Sequence, residues 1–406
     1  MSKIKFNRIK TRFLRVAVVF SVAFLSFFAL SSCQKSTTTQ SLTEHRSPIA
    51  LTYSQSTSLP TVSASSAILI EADTKTVIGE KNADVRMPMA STTKIMSALV
   101  AIENADITKS VAVSSQAVGV EGSSVYLYEG EKLTLEDLIY AMMLESANDA
   151  AAAIAIEVGG SIEGFAQLMN KKASELGLKD TRFTNPHGLD DQEHYTTAHD
   201  LAIIAVAAME NPTFKQIVST YKKTIPLNET EGVRLLINHN KLLKGYDGAV
   251  GIKTGYTKKS GRCLVSAAEK DGVKLICVTL NAPNDWQDHT NMLDYGFSLF
   301  ESRILCSEGE FSYTLPIVGG DKDYITVSNR EELRVVMRRG ASDINCVVCL
   351  PKFAYASVRE GDIVGRLVYY SNGAEIGSVP LYAAYGSDRM IYKKSIFEKL
   401  FSFFSK

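Results

Sequence analysis

The chain contains 406 residues, of which 45% are hydrophobic and 22% are charged, and its 44 basic residues balance 44 acidic ones. This length predicts two or three domains with ordinary globular cores. Because the formal net charge is zero, the composition gives no support for a nucleic-acid partner and indicates no acidic substrate.

The first 33 residues have the pattern of an export signal. Six basic residues precede an apolar run of 15 residues at positions 16–30, which is short for a membrane-spanning helix of about 20 residues. The segment Leu30-Ser31-Ser32-Cys33 resembles the bacterial lipobox, which implies cleavage before Cys33 and lipidation of its thiol. Ordinary cleavage near Ser31 and an uncleaved anchor are the alternatives.

Residues 34–60 are rich in Ser, Thr and Gln and predict a flexible tether. Ordered structure is expected to follow, because apolar runs at 67–70 and 76–78 flank a turn and predict a hairpin. The next apolar positions recur at helical spacing and predict a helix over 91–103.

Two capping-box patterns mark further helices. Thr134 opens a predicted helix that reaches Leu144, and Thr197 opens one over 201–209. Later, apolar runs at 264–268 and 273–280 flank an Asp-Gly turn and predict a second hairpin. Helices mixed with antiparallel hairpins predict an α+β domain over residues 61–304.

The character of the sequence changes near residue 305. Short β-rich runs alternate with turns over 305–386, including a clear hairpin at 366–381, and predict a small all-β domain. The tail, 387–406, contains an amphipathic segment that is typical of a helix lying in the plane of a membrane surface. The alternative is a terminal helix docked on the β domain. Its apolar face comprises Ile396, Phe397, Leu400, Phe401 and Phe404.

Five of the six cysteines lie outside the N-terminal signal, so at least one thiol lacks an intramolecular partner. Cys346 and Cys349 form a C-x-x-C pattern, but they lie in an apolar run that predicts a strand, where positions three apart face opposite sides. Structural cysteines are therefore favoured over a redox pair. No second pair supports zinc, and the histidines offer no ligand set: His194 and His199 flank a capping box, and His187 is interpreted as structural.

Three short motifs carry candidate chemistry. In Ser91-Thr92-Thr93-Lys94, helical spacing places the serine and the lysine on one face, and burial of the lysine would lower its pKa and make it a base for the serine. The same spacing occurs at Ser2, Ser32 and Ser219, but only Ser91 lies at a predicted helix start, where free N–H groups favour negative charge.

The second motif is Ser146-Ala147-Asn148, whose hydroxyl and amide are suited to relay a proton and hold a substrate amide; a simple helix-ending turn is the alternative. The third is Lys253-Thr254-Gly255 on a predicted strand. Its cation and hydroxyl suit a carboxylate, and Gly255 has no side chain to obstruct a ligand; an edge strand with a solvated lysine is the alternative.

The order and separation of these motifs resemble the penicillin-recognising serine enzymes. Segments 183–189, 195–200 and 248–257 look like those of low-molecular-mass penicillin-binding proteins, the serine D-Ala-D-Ala carboxypeptidases. The resemblance covers about residues 61–302 and, more loosely, the β domain. It implies a penicillin-binding and serine β-lactamase-like transpeptidase domain, an antiparallel sheet with helices, followed by the small β domain.

The resemblance also implies roles for individual residues. Ser91 is the implied nucleophile, Lys94 its general base, Ser146 the proton relay to the leaving D-Ala, and Asn148 the group that fixes Lys94 and the substrate backbone. Lys253 and Thr254, with Gly255, would bind the terminal carboxylate. The backbone N–H groups of Ser91 and Tyr256 would form the oxyanion hole. The family requires no metal or organic cofactor.

The implied substrate is the D-Ala-D-Ala end of a peptidoglycan stem peptide, with β-lactam antibiotics as inhibitors, at the outer face of a bacterial membrane. A serine β-lactamase is the nearest rival, but the Glu-x-x-Asn of its commonest class is absent between residues 149 and 250. A transpeptidase or endopeptidase would share the acyl-enzyme. A non-catalytic cell-wall-binding lipoprotein is the rival from another class.

Overall fold

The computed structural model describes residues 58–227 and 232–391. The predicted export signal with Cys33, most of the predicted tether, and the tail from residue 392 lie outside the described residues. Within the described part of the chain, no helix combines the length and the apolar content needed to cross a bilayer.

A five-stranded antiparallel sheet forms the centre of the first domain. Its strand order is β2-β1-β9-β8-β7. Strand β9 pairs with β1, so the hairpin β8–β9 lies beside the hairpin β1–β2 in the sheet. Both predicted hairpins are confirmed. Strand β7 lies at the edge and carries the Lys-Thr-Gly motif, which leaves that edge open to a ligand. The strands are β1 (Ser66–Glu71), β2 (Thr76–Lys81), β7 (Ala249–Thr257), β8 (Gly261–Lys270) and β9 (Val273–Leu280).

Eight α-helices and two small two-stranded sheets, β3–β4 and β5–β6, accompany this sheet in the described residues. The capping predictions are confirmed, because the Thr134 and Thr197 hydroxyls accept the N–H groups of Asp137 and Asp200. The helices are α1 (Lys94–Asn104), α2 (Leu135–Leu144), α3 (Asn148–Gly159), α4 (Ile162–Glu175), α5 (Ala198–Glu210), α6 (Pro212–Ser219), α7 (Leu242–Gly245) and α8 (Asp285–Leu299); the hairpin strands are β3 (Ser110–Ala112), β4 (Lys132–Thr134), β5 (Lys222–Pro226) and β6 (Val233–Ile237).

The sheet separates two apolar cores. On one face, Ile68 and Ile70 belong to a core that includes residues of helices α1 to α6, among them fully buried Phe165 of α4. On the other face, Leu69 and Leu275 pack against Met292 of α8. Alternate residues of β1 therefore serve opposite cores, as the two-residue period of a strand requires.

One predicted helix begins differently from the expectation. The helix predicted over 91–103 divides into a tight 3₁₀ turn at Ala90–Thr93 and an α-helix that starts at Lys94. The hydroxyls of Thr92 and Thr93 donate to the carbonyls of Met89 and Ala90, at 2.6 and 2.8 Å. Because these side chains donate hydrogen bonds to backbone carbonyl groups of the turn itself, they favour the 3₁₀ geometry over an α-helical turn.

The second domain is all-β, as predicted. Its six-stranded sheet has the order β14-β16-β17-β12-β11-β15, and β10 pairs separately with β13. The predicted hairpin at 366–381 is confirmed as β16–β17. The strands are β10 (Phe300–Cys306), β11 (Ser312–Val318), β12 (Tyr324–Asn329), β13 (Leu333–Arg338), β14 (Ile344–Cys349), β15 (Ala354–Tyr355), β16 (Ile363–Ser371) and β17 (Ala374–Ala383).

Cys346 and Cys349 lie on β14, an edge strand, as exposed thiols. The other three described cysteines, Cys263, Cys277 and Cys306, are buried free thiols. Burial raises the pKa of Cys263 to about 11, which keeps that thiol protonated and inert.

Candidate active site

The first two motifs meet at the buried amine of Lys94. Its Nζ lies 2.9 Å from Ser91 Oγ, 2.7 Å from Asn148 Oδ1 and 2.6 Å from the carbonyl oxygen of His187. Ser91 and Lys94 are neighbours because Ser91 lies within the tight turn Ala90–Thr93 and Lys94, three positions later, begins α1. The amine therefore has three fixed oxygen partners and no exposed surface.

Burial is the main cause that holds the pKa of Lys94 well below its ordinary value. The positive charge of Lys253 lowers it further, whereas the carboxylate of Asp149 opposes the fall. A lysine with a depressed pKa is neutral in a larger fraction of molecules near neutral pH, and only the neutral amine accepts a proton.

The backbone at the first two motifs is held in an unusual conformation. Ala90 and Ser146 have φ values of +47° and +60°, in a region that costs a residue with a side chain about 1–2 kcal/mol. Gly188 fits tightly behind the first turn, since a Cβ on it would lie 1.9 Å from the carbonyl oxygen of Ala90. The His-Gly loop thus supports the turn that presents Ser91.

The loop 121–127 anchors Asn148. Asn148 donates its backbone N–H to the carbonyl of Ser123 at 2.7 Å, and its amide group to the carbonyl of Glu121. The buried carboxylate of Asp149 accepts hydrogen bonds from Ser124 Oγ at 2.6 Å and from the N–H of Leu127 at 3.0 Å. Asp149 therefore ties this loop to the helix that carries Asn148.

Arg234, on strand β6, bonds to the same loop 121–127. Arg234 donates to the carbonyls of Val125 and Tyr126 at 3.0 and 3.3 Å, and pairs with the fully buried carboxylate of Glu131. The sequence analysis missed Asp149, Arg234 and Glu131. Each is a single charged residue without a motif: Asp149 bonds to a loop 22 to 25 residues earlier, and Arg234 meets Glu131 from 103 residues away.

The third motif lies on strand β7, close to the turn that contains Ser91. Lys253 is buried, and burial lowers its pKa to about 7. A Cβ on Gly255 would lie 3.0 Å from the backbone nitrogen of Ser91, so the absent side chain permits the close approach of the strand to the turn. Tyr256 follows with its ring largely exposed.

These residues line an open pocket of about 320 Å³. Predicted residues Ser91, Ser146, Thr254, Gly255 and Tyr256 share its wall with residues that the sequence analysis did not single out. Arg262 pairs with Asp285 at 2.9 Å in this wall. No sequence signal marked the additional residues, which are Ser123, His239, Arg262, Asp285 and Trp286.

Two histidines of the loop behind the Ser91 turn are neutral: His194 is buried and His187 is half-buried. Burial lowers the pKa of His187 to about 3 and that of His194 to about 4. His194 Nδ1 accepts the N–H of Thr184 at 3.1 Å, so its Nε2 carries the proton and donates to Thr93 Oγ1 at 2.8 Å. His187 and His194 thus support the loop and the turn. Among residues 58–227 and 232–391, no group of three His, Cys, Asp or Glu side chains is arranged for a metal ion.

Comparison with known proteins shows the family of the chain. The sequence profile described as D-alanyl-D-alanine carboxypeptidase, peptidase family S11, matches residues 53–284, which is more than half of the chain. The chain belongs to this family. A second profile, the C-terminal domain of penicillin-binding protein 5, matches residues 300–386.

Characterised members of the family are similar over most of the carboxypeptidase. D-alanyl-D-alanine carboxypeptidase DacF of Bacillus subtilis (strain 168) is 33% identical over 330 residues, covering 79% of this chain and 85% of that protein. DacC of Escherichia coli (strain K12) is 30% identical over 352 residues, with coverages of 82% and 86%.

Solved structures show the same architecture. Penicillin-binding protein 5 from Haemophilus influenzae has a TM-score of 0.63 at 26% identity, covering 82% of this chain and 100% of that one. The Streptomyces K15 DD-transpeptidase has a TM-score of 0.57 at 33% identity, with coverages of 60% and 100%. The predicted fold class is confirmed, and the chain is a serine-type D-alanyl-D-alanine carboxypeptidase of the low-molecular-mass penicillin-binding protein family.

Proposed function

We propose that the carboxypeptidase removes the terminal D-Ala from peptidoglycan stem peptides through an acyl-enzyme on Ser91, with Lys94 as the base. The contact of Lys94 Nζ with both Ser91 Oγ and Asn148 Oδ1 carries this proposal. A neutral amine has two N–H groups and one lone pair. The N–H groups donate to Asn148 and to the carbonyl of His187, and the lone pair accepts the hydroxyl proton of Ser91.

In acylation, Ser91 Oγ bonds to the carbonyl carbon of the penultimate D-Ala as its proton moves to Lys94. The carbon–nitrogen bond to the terminal D-Ala then breaks, and Ser146 relays a proton to the departing amine: it gives up its own hydroxyl proton and receives the proton held by Lys94, which leaves both groups neutral again. Water attacks the resulting ester, releases the shortened peptide and restores Ser91. Two observations support this role: Ser146 lines the same pocket as Ser91, and its backbone has a φ of +60°, a strained conformation of the kind that clusters at active sites.

Substrate orientation comes from strand β7. Lys253 and Thr254 bind the terminal carboxylate, and the peptide lies along β7, whose outer edge pairs with no other strand in the described residues. The N–H groups of Ser91 and Tyr256 stabilise the oxyanion, since charge develops on that oxygen only in the transition state. The close approach of Gly255 to the Ser91 nitrogen supports this pairing.

The carboxypeptidase acts after export, at the outer face of the bacterial cytoplasmic membrane. This part of the proposal is supported by the basic and apolar pattern of residues 1–33 and by the location of the substrate. Cys33 carries a lipid, and the amphipathic tail gives a second membrane contact. Two anchors retain a protein on a bilayer much better than one.

The test is an intact mass of the full chain after incubation with penicillin, compared with Ser91→Ala and Ser219→Ala. Ser219 is the matched control, because it also precedes a lysine by three positions but lies at the end of α6. We expect a lasting adduct on the wild type and on Ser219→Ala, none on Ser91→Ala, and release of D-Ala from a D-Ala-D-Ala peptide.

Other results would select other activities. Rapid penicillin turnover would indicate a β-lactamase. Transfer of the acyl group to an added amine, with little hydrolysis, would indicate a transpeptidase. A folded chain that forms no adduct would indicate a cell-wall-binding lipoprotein.

A further inference from the structure

The β domain exposes a group of large apolar side chains at one end of its six-stranded sheet. We call this group the terminal patch, and it contains Val318, Phe353, Tyr355, Met390 and Ile391. The exposed fractions are 71% for Tyr355, 61% for Met390 and 79% for Ile391. Contiguous exposed apolar side chains on a soluble domain mark an interaction surface more often than scattered single ones do.

Backbone pairing brings the patch together from three chain segments. Strand β15 runs parallel to the end of β11, which places Tyr355 beside Val318. The rings of Phe353 and Tyr355 meet edge to face at 5.3 Å between centroids. Met390 donates its N–H to the carbonyl of Gly319, next to Val318, at 2.9 Å.

The patch is not an extension of the core. Ile317 and Ala354, the paired neighbours of Val318 and Tyr355, face the core of the β domain, so the patch residues of these strands occupy the outward face. Because β15 has only two residues, it offers little edge for pairing with a strand of another chain. Its side chains are therefore the groups available for binding.

We propose that the terminal patch inserts into the headgroup and acyl boundary of the lipid bilayer. The patch ends at Ile391, from which the chain continues for 15 residues, 392–406, whose sequence has the amphipathic pattern of a segment lying in a membrane surface. A membrane contact by this tail would bring its first residues, and with them the patch, to the lipid. The inference rests on the proposed location at the membrane and adds a surface of the folded domain to it.

The chemistry of the patch fits this boundary. A tyrosine ring is suited to it because its apolar body can enter the acyl region while its hydroxyl remains in the headgroups, and the wholly apolar phenylalanine ring can enter the acyl region. Lys352 is exposed beside Phe353 and can reach lipid phosphates by extending its side chain. The nearby carboxylate of Asp321 already accepts Ser387 Oγ and the N–H of Asp388, both at 2.9 Å, which offsets part of its charge.

The test uses the single native tryptophan, Trp286, as an internal reference. Because Trp286 lies in the catalytic domain, the emission added by a second tryptophan in the β domain reports the surroundings of that second residue. The full chain with Tyr355→Trp is mixed with vesicles of phosphatidylcholine and phosphatidylglycerol, with or without brominated acyl chains that quench nearby indoles. We expect brominated vesicles to remove the emission added by the Tyr355→Trp substitution and to leave the wild-type emission unchanged.

Tyr313→Trp is the matched control, because Tyr313 is also exposed and lies at the opposite end of β11. We expect no quenching at this position. The proposal is overturned if the chain sediments with vesicles while Tyr355→Trp stays unquenched, or if Tyr313→Trp is quenched equally. A chain that does not sediment with vesicles overturns both the patch and the membrane location, whereas a Ser91-dependent penicillin adduct on the same sample would leave the catalytic proposal intact.

Discussion

Replacing Lys253 by methionine is expected to make the protein more stable and the enzyme much less active. Burial lowers the pKa of Lys253 from 10.5 to about 7, so the folded protein disfavours a charge that the unfolded chain carries freely. One pKa unit corresponds to about 1.4 kcal/mol, which sets a ceiling of about 5 kcal/mol on this cost. Methionine has similar length and no charge, but it loses the hydrogen bond to the Thr254 carbonyl, so we expect a net gain of about 1–4 kcal/mol.

The direction of the pKa shift determines how the stability difference between the variant and the wild type changes with pH. A lysine whose pKa is lowered by folding imposes its full cost below the folded value of about 7, and the cost declines as pH rises toward the unfolded value of 10.5. Urea unfolding of the wild type and of Lys253→Met at pH 6 and pH 10 measures this difference. The advantage of the variant should be large at pH 6 and nearly absent at pH 10. Lys171→Met, at an exposed lysine, is the control and should show neither effect.

The same variant tests the electrostatics of the catalytic base. Lys253 helps to lower the pKa of Lys94, so its replacement should move the acid limb of penicillin acylation to higher pH. Loss of the carboxylate contact should reduce kcat/KM for a D-Ala-D-Ala peptide by about 10- to 100-fold, the effect of removing a charged hydrogen bond. A variant no more stable than the wild type at pH 6, or an advantage independent of pH, would refute the reasoning.

Two further predictions concern the support of the catalytic groups. Gly188→Ala places a Cβ 1.9 Å from the Ala90 carbonyl, so we expect penicillin acylation to fall about 100-fold through displacement of the nucleophile turn; Gly177→Ala has a similar positive φ with open space around it and should acylate normally. Arg234→Met leaves the buried Glu131 carboxylate unpaired and should destabilise the fold by about 3–5 kcal/mol in urea unfolding. The double variant Arg234→Met/Glu131→Gln should regain much of the stability. It should still be acylated slowly by penicillin, because loop 121–127 no longer bonds to the β5–β6 hairpin. Full recovery of the acylation rate would contradict a positioning role for Arg234.

Local patterns predicted much of the fold. The hairpin at 264–280 follows from two apolar runs around an Asp-Gly turn, and the start of α2 follows from the hydroxyl of Thr134. The turn at Ser91 was not predicted as a 3₁₀ turn, because its geometry depends on threonine hydroxyls and on the His-Gly loop packed behind it, almost a hundred residues later.

By itself, the sequence determined the three motifs, their order and the family to which they belong, since these depend on residue type and spacing alone. Only the tertiary structure decided that Lys94 is buried against Asn148 and the His187 carbonyl, that Asp149 and Arg234 hold the loop behind Asn148, and that the terminal patch is exposed. The physical reason is that desolvation, hydrogen-bond networks and exposed surfaces arise between segments distant in the chain, where no local pattern records which side chains will meet.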